Sequence, residues 1–160
     1  MKKTAISPDE AKRTSAGLKT VTTGTLMRML GREGEPTVLK DSVCNQSGSA
    51  IFRGLMYKLL ERGGLDIPQV AQRAMISKAF IYQMLGGSRQ PGRDMVLRLA
   101  VCLKASVEET QRLLRSVQRG ALYPRIHRDA LIIYGLNRKL GLDELNERLL
   151  SEGEEPLYVP

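Results

Sequence analysis

Tryptophan is absent from these 160 residues, and five tyrosines and two phenylalanines are all the aromatic side chains there are. Sheet cores draw on aromatic and β-branched residues, so an interior left to Leu, Ile, Val, Met and Ala favours helices. Cysteine is nearly absent as well. Cys44 and Cys102 lie far apart, form no Cys-x-x-Cys pair, and share the chain with a single histidine. That excludes a zinc-ligand set by spacing, and the reading is a reduced, cytoplasmic protein without metal or cofactor. No apolar run approaches the roughly 20 residues that cross a bilayer. Lys2 and Lys3 are followed by no apolar stretch of the kind a signal peptide carries, so neither membrane insertion nor export is expected.

Acidic residues are scarce in the middle of the chain. Between residues 50 and 105 there are nine basic against three acidic residues, whereas from 106 to 160 there are eight against nine. The net charge of +8 is therefore concentrated in one segment, which suits a polyanionic partner there. Residues 1–24 are polar, with too little apolar surface to offset the cost of ordering, and read as a flexible basic, Thr-rich arm. From 25 to 49, Leu26, Met27, Met29 and Leu30 share one face of a short helix, and Pro36 with a Ser, Asn and Gly cluster makes a linker.

From Ala50 the apolar residues Phe52, Leu55, Met56, Leu59 and Leu60 recur at three- and four-residue steps, which predicts an amphipathic helix stopped at Gly63 and Gly64. Asp66 caps a second helix with Pro68 in its first turn. Met75 and Ile76 make a tight turn, and Ser77 caps a third helix running to Leu85. Its Phe80 and Ile81 point inward, which leaves Lys78, Ala79, Tyr82 and Gln83 outward. Gly86 and Gly87 stop it, and Ser88, Arg89 and Gln90 form an exposed loop of the chemistry that holds DNA phosphates. A fourth helix begins at Asp94, and a capping box at Ser106 and Glu109 opens a fifth.

Ala71 in the first motif helix, Ile76 and Ser77 at the turn, Ile81 within the second, and Gly87, Arg89 and Pro91 after it give residues 51–117 a pattern that resembles the XRE family of helix-turn-helix proteins, the group of the lambda and 434 repressors and Cro. Leu97 to Leu114 resembles the family's last two helices. The resemblance implies an all-α fold, a lambda-repressor-like five-helix bundle at 50–118, here with a short N-terminal helix and a C-terminal helix pair. It implies a homodimer on double-stranded DNA, with Lys78, Ala79 and Gln83 at the bases and Ser77, Ser88 and Arg89 near phosphates. The outward geometry of the third helix adds Tyr82 as a candidate base reader, and Arg73 and Arg93 are further candidates for phosphate. The sequence departs from the family at Met75, where Gly is usual, and at Ile67, where a polar residue is usual. Ala79 can offer only an apolar contact.

Residues 119–160 form an extension beyond that bundle. The apolar run at 131–136 and the amphipathic stretch from Leu142 predict an antiparallel helix pair, and residues 22–158 resemble a group of bacterial XRE-like proteins carrying such a tail. Ile132, Ile133, Tyr134, Leu136, Leu145 and Leu149 predict either self-packing or a surface for a second subunit or a protein partner. His127 lies near Asp129, but spacing supplies no nucleophile or further partner, so no enzyme is expected. Two functions compete. One is a sequence-specific transcriptional regulator with helix 77–85 in the major groove. The other is a protein-interaction adaptor on the same fold, which the apolar Ile67, Met75 and Ala79 would suit.

Overall fold

The computed structural model describes residues 48–159; the expected arm at 1–24, the short helix around 26–30 and the linker with Cys44 lie outside the described residues. Those described form helices and no strand: α1 Gly48–Gly63, α2 Ile67–Ala74, α3 Lys78–Gly86, α4 Arg93–Cys102, α5 Val107–Ser116, α6 His127–Arg138 and α7 Leu142–Ser151. No helix among them is long and apolar enough to cross a membrane.

Local chemistry sets the starts. The Asp66 carboxylate accepts from the Gln69 N–H at 2.8 Å, and Gln69 Oε1 accepts from the Asp66 N–H at 3.0 Å. Ser106 and Glu109 make the same reciprocal cap on α5. Caps of this kind contribute about 1 kcal/mol each by satisfying amides that the helix cannot. α4 starts one residue earlier than Asp94, after Gly92 and without a side-chain cap.

α1 packs on α3 and α5, α2 on α3 and α4, and α4 on α5. Phe52, Met56, Ile81, Leu97, Leu99, Leu113 and Leu114 are buried between them. Cys102 lies in this core, where burial pushes its thiol up to about 11; it acts there as a small apolar residue.

Arg62 at the end of α1 closes the bundle onto α5 with a two-pronged contact to Glu109, at 2.6 and 3.0 Å. These hydrogen bonds outweigh the effect of burial and hold the Glu109 carboxyl down at about 2, against its ordinary 4.5. A depressed carboxylate stabilises the fold above its unfolded value and loses that contribution as pH falls through its folded value. Stability should therefore drop between pH 4.5 and about 2. Glu109→Gln should flatten this part of a urea-midpoint-against-pH curve, and an unchanged slope would remove Glu109 as its source.

α6 packs on α7 and α5, and α7 also meets α4. Gly135 permits the close crossing, since a Cβ there would stand 2.7 Å from Leu145 Cδ1. Of the two readings of this apolar face, self-packing and a partner surface, the packing follows the first for most of its residues. Ile132, Leu145 and Leu149 are wholly buried and Leu136 is 3 % exposed, because they share the faces that α6 and α7 turn inward. Ile133 is half-buried. Tyr134 alone of the six is exposed, with the Arg138 and Arg148 guanidiniums each 5.4 Å from its ring centre.

Candidate nucleic-acid interface

α2 presents Val70, Ala71 and Ala74 to the core. It ends at Met75, whose backbone is left-handed, with φ 56° and ψ 42°. The Met75 N–H reaches back to the Ala71 and Gln72 carbonyls, and the Ile76 N–H bonds the Ala71 carbonyl at 3.0 Å. This is the conformation for which glycine is the low-cost residue. Met75 is 59 % exposed, so its side chain is free to extend into solvent, while the backbone penalty of its Cβ remains.

The turn is held from behind by Arg98 of α4. Its Nε donates to the Ala74 carbonyl at 2.8 Å and its Nη2 to that of Met75. Those are two of the carbonyls that the end of α2 leaves without helical partners. Partial burial lowers the Arg98 pKa, and the Tyr158 ring covers the guanidinium at 5.7 Å. With the carbonyls tied down this way, Met75→Gly should relieve backbone strain and raise stability by about 0.5–1 kcal/mol, the part of the left-handed penalty that exceeds glycine's extra chain entropy. The denaturation midpoint measures it, and a lower midpoint would mean that the methionine side chain packs usefully.

Ser77 caps α3, its Oγ accepting from the Phe80 N–H at 3.2 Å, so the hydroxyl proton is directed elsewhere. Ile81, Met84 and Leu85 are buried. Lys78, Ala79, Tyr82 and Gln83 are exposed, Tyr82 by 56 %. All four lie on α3, the first two in its opening turn. At the far end, Gly87 is left-handed at φ 78°, and a Cβ there would press Ser49 Oγ at 3.0 Å. Ser88 Oγ donates to the Gln83 carbonyl at 3.2 Å. Arg89 lies 4.8 Å over the Phe80 ring, which fixes its stem beside the helix while the residue stays exposed. An open groove between α2 and α3 is lined by Pro68, Ala71, Gln72, Met75, Ile76, Ser77 and Lys78.

The structure thus gathers the four expected base-facing residues with Ser77, Ser88 and Arg89 at the two ends of one exposed helix, and Arg73 is exposed at the end of α2. Arg93 does not join them. Its Nε donates to the Gly120 carbonyl at 2.9 Å, its Nη2 to that of Ala121 at 3.1 Å, and both Nη atoms grip Asp129 at 3.0 and 2.8 Å. A guanidinium committed to four acceptor atoms inside the protein is a structural tie. Asp129, in turn, faces Arg93 and the Tyr123 N–H, whereas His127 Nδ1 meets Glu154 Oε1 at 2.9 Å. Arg98 is not legible from the sequence, because a basic residue facing backbone carbonyls leaves no mark in a hydrophobic pattern. Among the described residues no cluster of His, Cys, Asp and Glu could hold a metal ion.

Residues 57–113 match a family model described as a helix-turn-helix domain. No curated protein and no solved structure matched the chain.

Proposed function

We propose, from the helix-turn-helix domain that residues 57–113 form, that this protein is a sequence-specific DNA-binding regulator that lays α3 in the major groove. The observation that carries the reading is the outward face of α3. Lys78, Ala79, Tyr82 and Gln83 are exposed together on it, between a serine cap at one end and Ser88 and Arg89 at the other. Gln83 can bond an adenine edge through two atoms, Lys78 can donate to guanine, and Ala79 can rest on a thymine methyl. Ser77, Ser88 and Arg89 have the donors that grip phosphates and set register. The helix-turn-helix domain and the all-helical fold also speak for a non-enzyme.

Selection of binding sites from random duplexes with the full chain, followed by titration at several salt concentrations, tests this directly. A recovered consensus is expected, with log K falling as log salt rises because counterions leave the phosphates. Recovery of no consensus together with weak, sequence-blind binding would sink the regulator reading. The adaptor reading is supported by Met75 and Ala79, both exposed, with Met75 beside the groove between α2 and α3. A stable protein co-purifying from the native cell, with no mobility shift on DNA, would favour it.

A further inference from the structure

Residues 93–124 and 128–159 carry the same pattern thirty-five positions apart. Arg93-Asp94 recurs as Arg128-Asp129, Lys104 as Lys139, and Leu122-Tyr123 as Leu157-Tyr158. The backbone repeats with it. Lys104 and Lys139 are both left-handed, at φ 52° and 56°, and so are Gln118 and Gly153, at 55° and 74°. In the first segment the Gln111 amide bridges to Leu122, donating to its carbonyl and accepting its N–H, both at 2.8 Å. At the matching place the Asn146 amide donates to the Tyr158 carbonyl at 2.9 Å and accepts the Leu157 N–H at 2.6 Å.

The contacts between the two segments are reciprocal. Arg93 pairs with Asp129 while Arg128 pairs with Asp94, at 3.1 Å. Within its own segment Arg93 bonds the Gly120 and Ala121 carbonyls, and Arg128 likewise bonds those of Glu155 and Pro156 at the same two positions of the second segment, so each arginine joins an internal tie to a cross-segment one. Lys104 Nζ donates to the Lys139 and Leu140 carbonyls at 2.8 and 2.9 Å, and Lys139 Nζ to those of Lys104 and Ala105 at 2.8 and 3.2 Å. Most of these contacts are restored when the two segments are exchanged. That is the signature of a two-fold, self-complementary interface, of the kind that ordinarily joins two chains.

We propose that the hairpin at 128–159 is an internal second copy of the hairpin at 93–124, and that it fills in cis the face by which one such bundle would pair with another. The described residues then carry one reading helix and take no second chain on that face. The inference stands on the repeat and its contacts and is independent of DNA binding. It is tested by refolding together equal amounts of the full chain with ordinary and with heavy nitrogen, then treating the mixture with a short amine-reactive cross-linker. A Lys104–Lys139 link joining peptides of like label, in a species of one chain's mass, 17.8 kDa, is expected. Linked peptides of mixed label would overturn the proposal, because the face would then be shared between chains. So would the absence of that link in a chain whose circular dichroism shows it folded, since the contact itself would be missing.

Discussion

Asp129→Ala is expected to cost about 3 kcal/mol, the lower end of what breaking a buried ion pair costs. The Asp129 carboxylate, 3 % exposed, takes two bonds from Arg93 and one from the Tyr123 N–H. Its loss leaves a guanidinium that is 28 % exposed with neutral carbonyls alone for company, together with an unmatched amide. Partial exposure of Arg93 is the reason for the lower figure. Against a typical total of roughly 5–15 kcal/mol, this should move the urea midpoint by a molar or more. The matching substitution Asp94→Ala breaks the other pair, in which Asp94 is 44 % exposed and screened by water. Its loss leaves Arg128, 16 % exposed, with carbonyls alone, so the cost should be smaller, about 1–2 kcal/mol. Equal losses at the two sites would mean that burial is not what separates them.

Lys78→Ala combined with Gln83→Ala should weaken binding to a selected DNA site on the order of a hundredfold or more. Each good base contact discriminates by about 1–3 kcal/mol, and 1.4 kcal/mol is tenfold in affinity. Both side chains are exposed on α3, so the fold should change by no more than about 0.5 kcal/mol. Fluorescence anisotropy at fixed salt reads the affinity, and an unchanged melting curve shows that folding is not the cause. Undiminished binding by the double variant would take α3 out of the groove.

The helices from α1 to α5 were legible because their signals are local. Glycine stops, the Asp66, Ser77 and Ser106 caps, and three–four apolar spacing each act within a few residues. Lys78, Ala79, Tyr82 and Gln83 were legible as an outward face for the same reason. The family resemblance also identified position 75 as one that wants glycine, and the backbone there is left-handed with methionine in place. What could not be read joins distant positions. Arg93 reads as a loose surface charge until Asp129 and the carbonyls of residues 120 and 121 are placed beside it. The apolar side of α6 and α7 shows in the pattern, but a pattern says that a face is covered without saying by what. One signal lies open in the letters, the return of Arg-Asp, Lys and Leu-Tyr at one spacing, but the reciprocal contacts it accompanies are long-range.

The turn between α2 and α3 is held by Arg98, and Arg98 is covered by Tyr158. Synthesis makes these parts in a fixed order, and the chain must grow from residue 98 to residue 158 before the covering ring exists. Until then the arginine that ties down the carbonyls of Ala74 and Met75 faces water, and so does the inner side of α4 that α7 will meet. A nascent chain can therefore own every residue of α3 and still hold it loosely. The turn that leads into α3 thus gains its last covering contact late in translation, from a residue that lies nowhere near it in sequence.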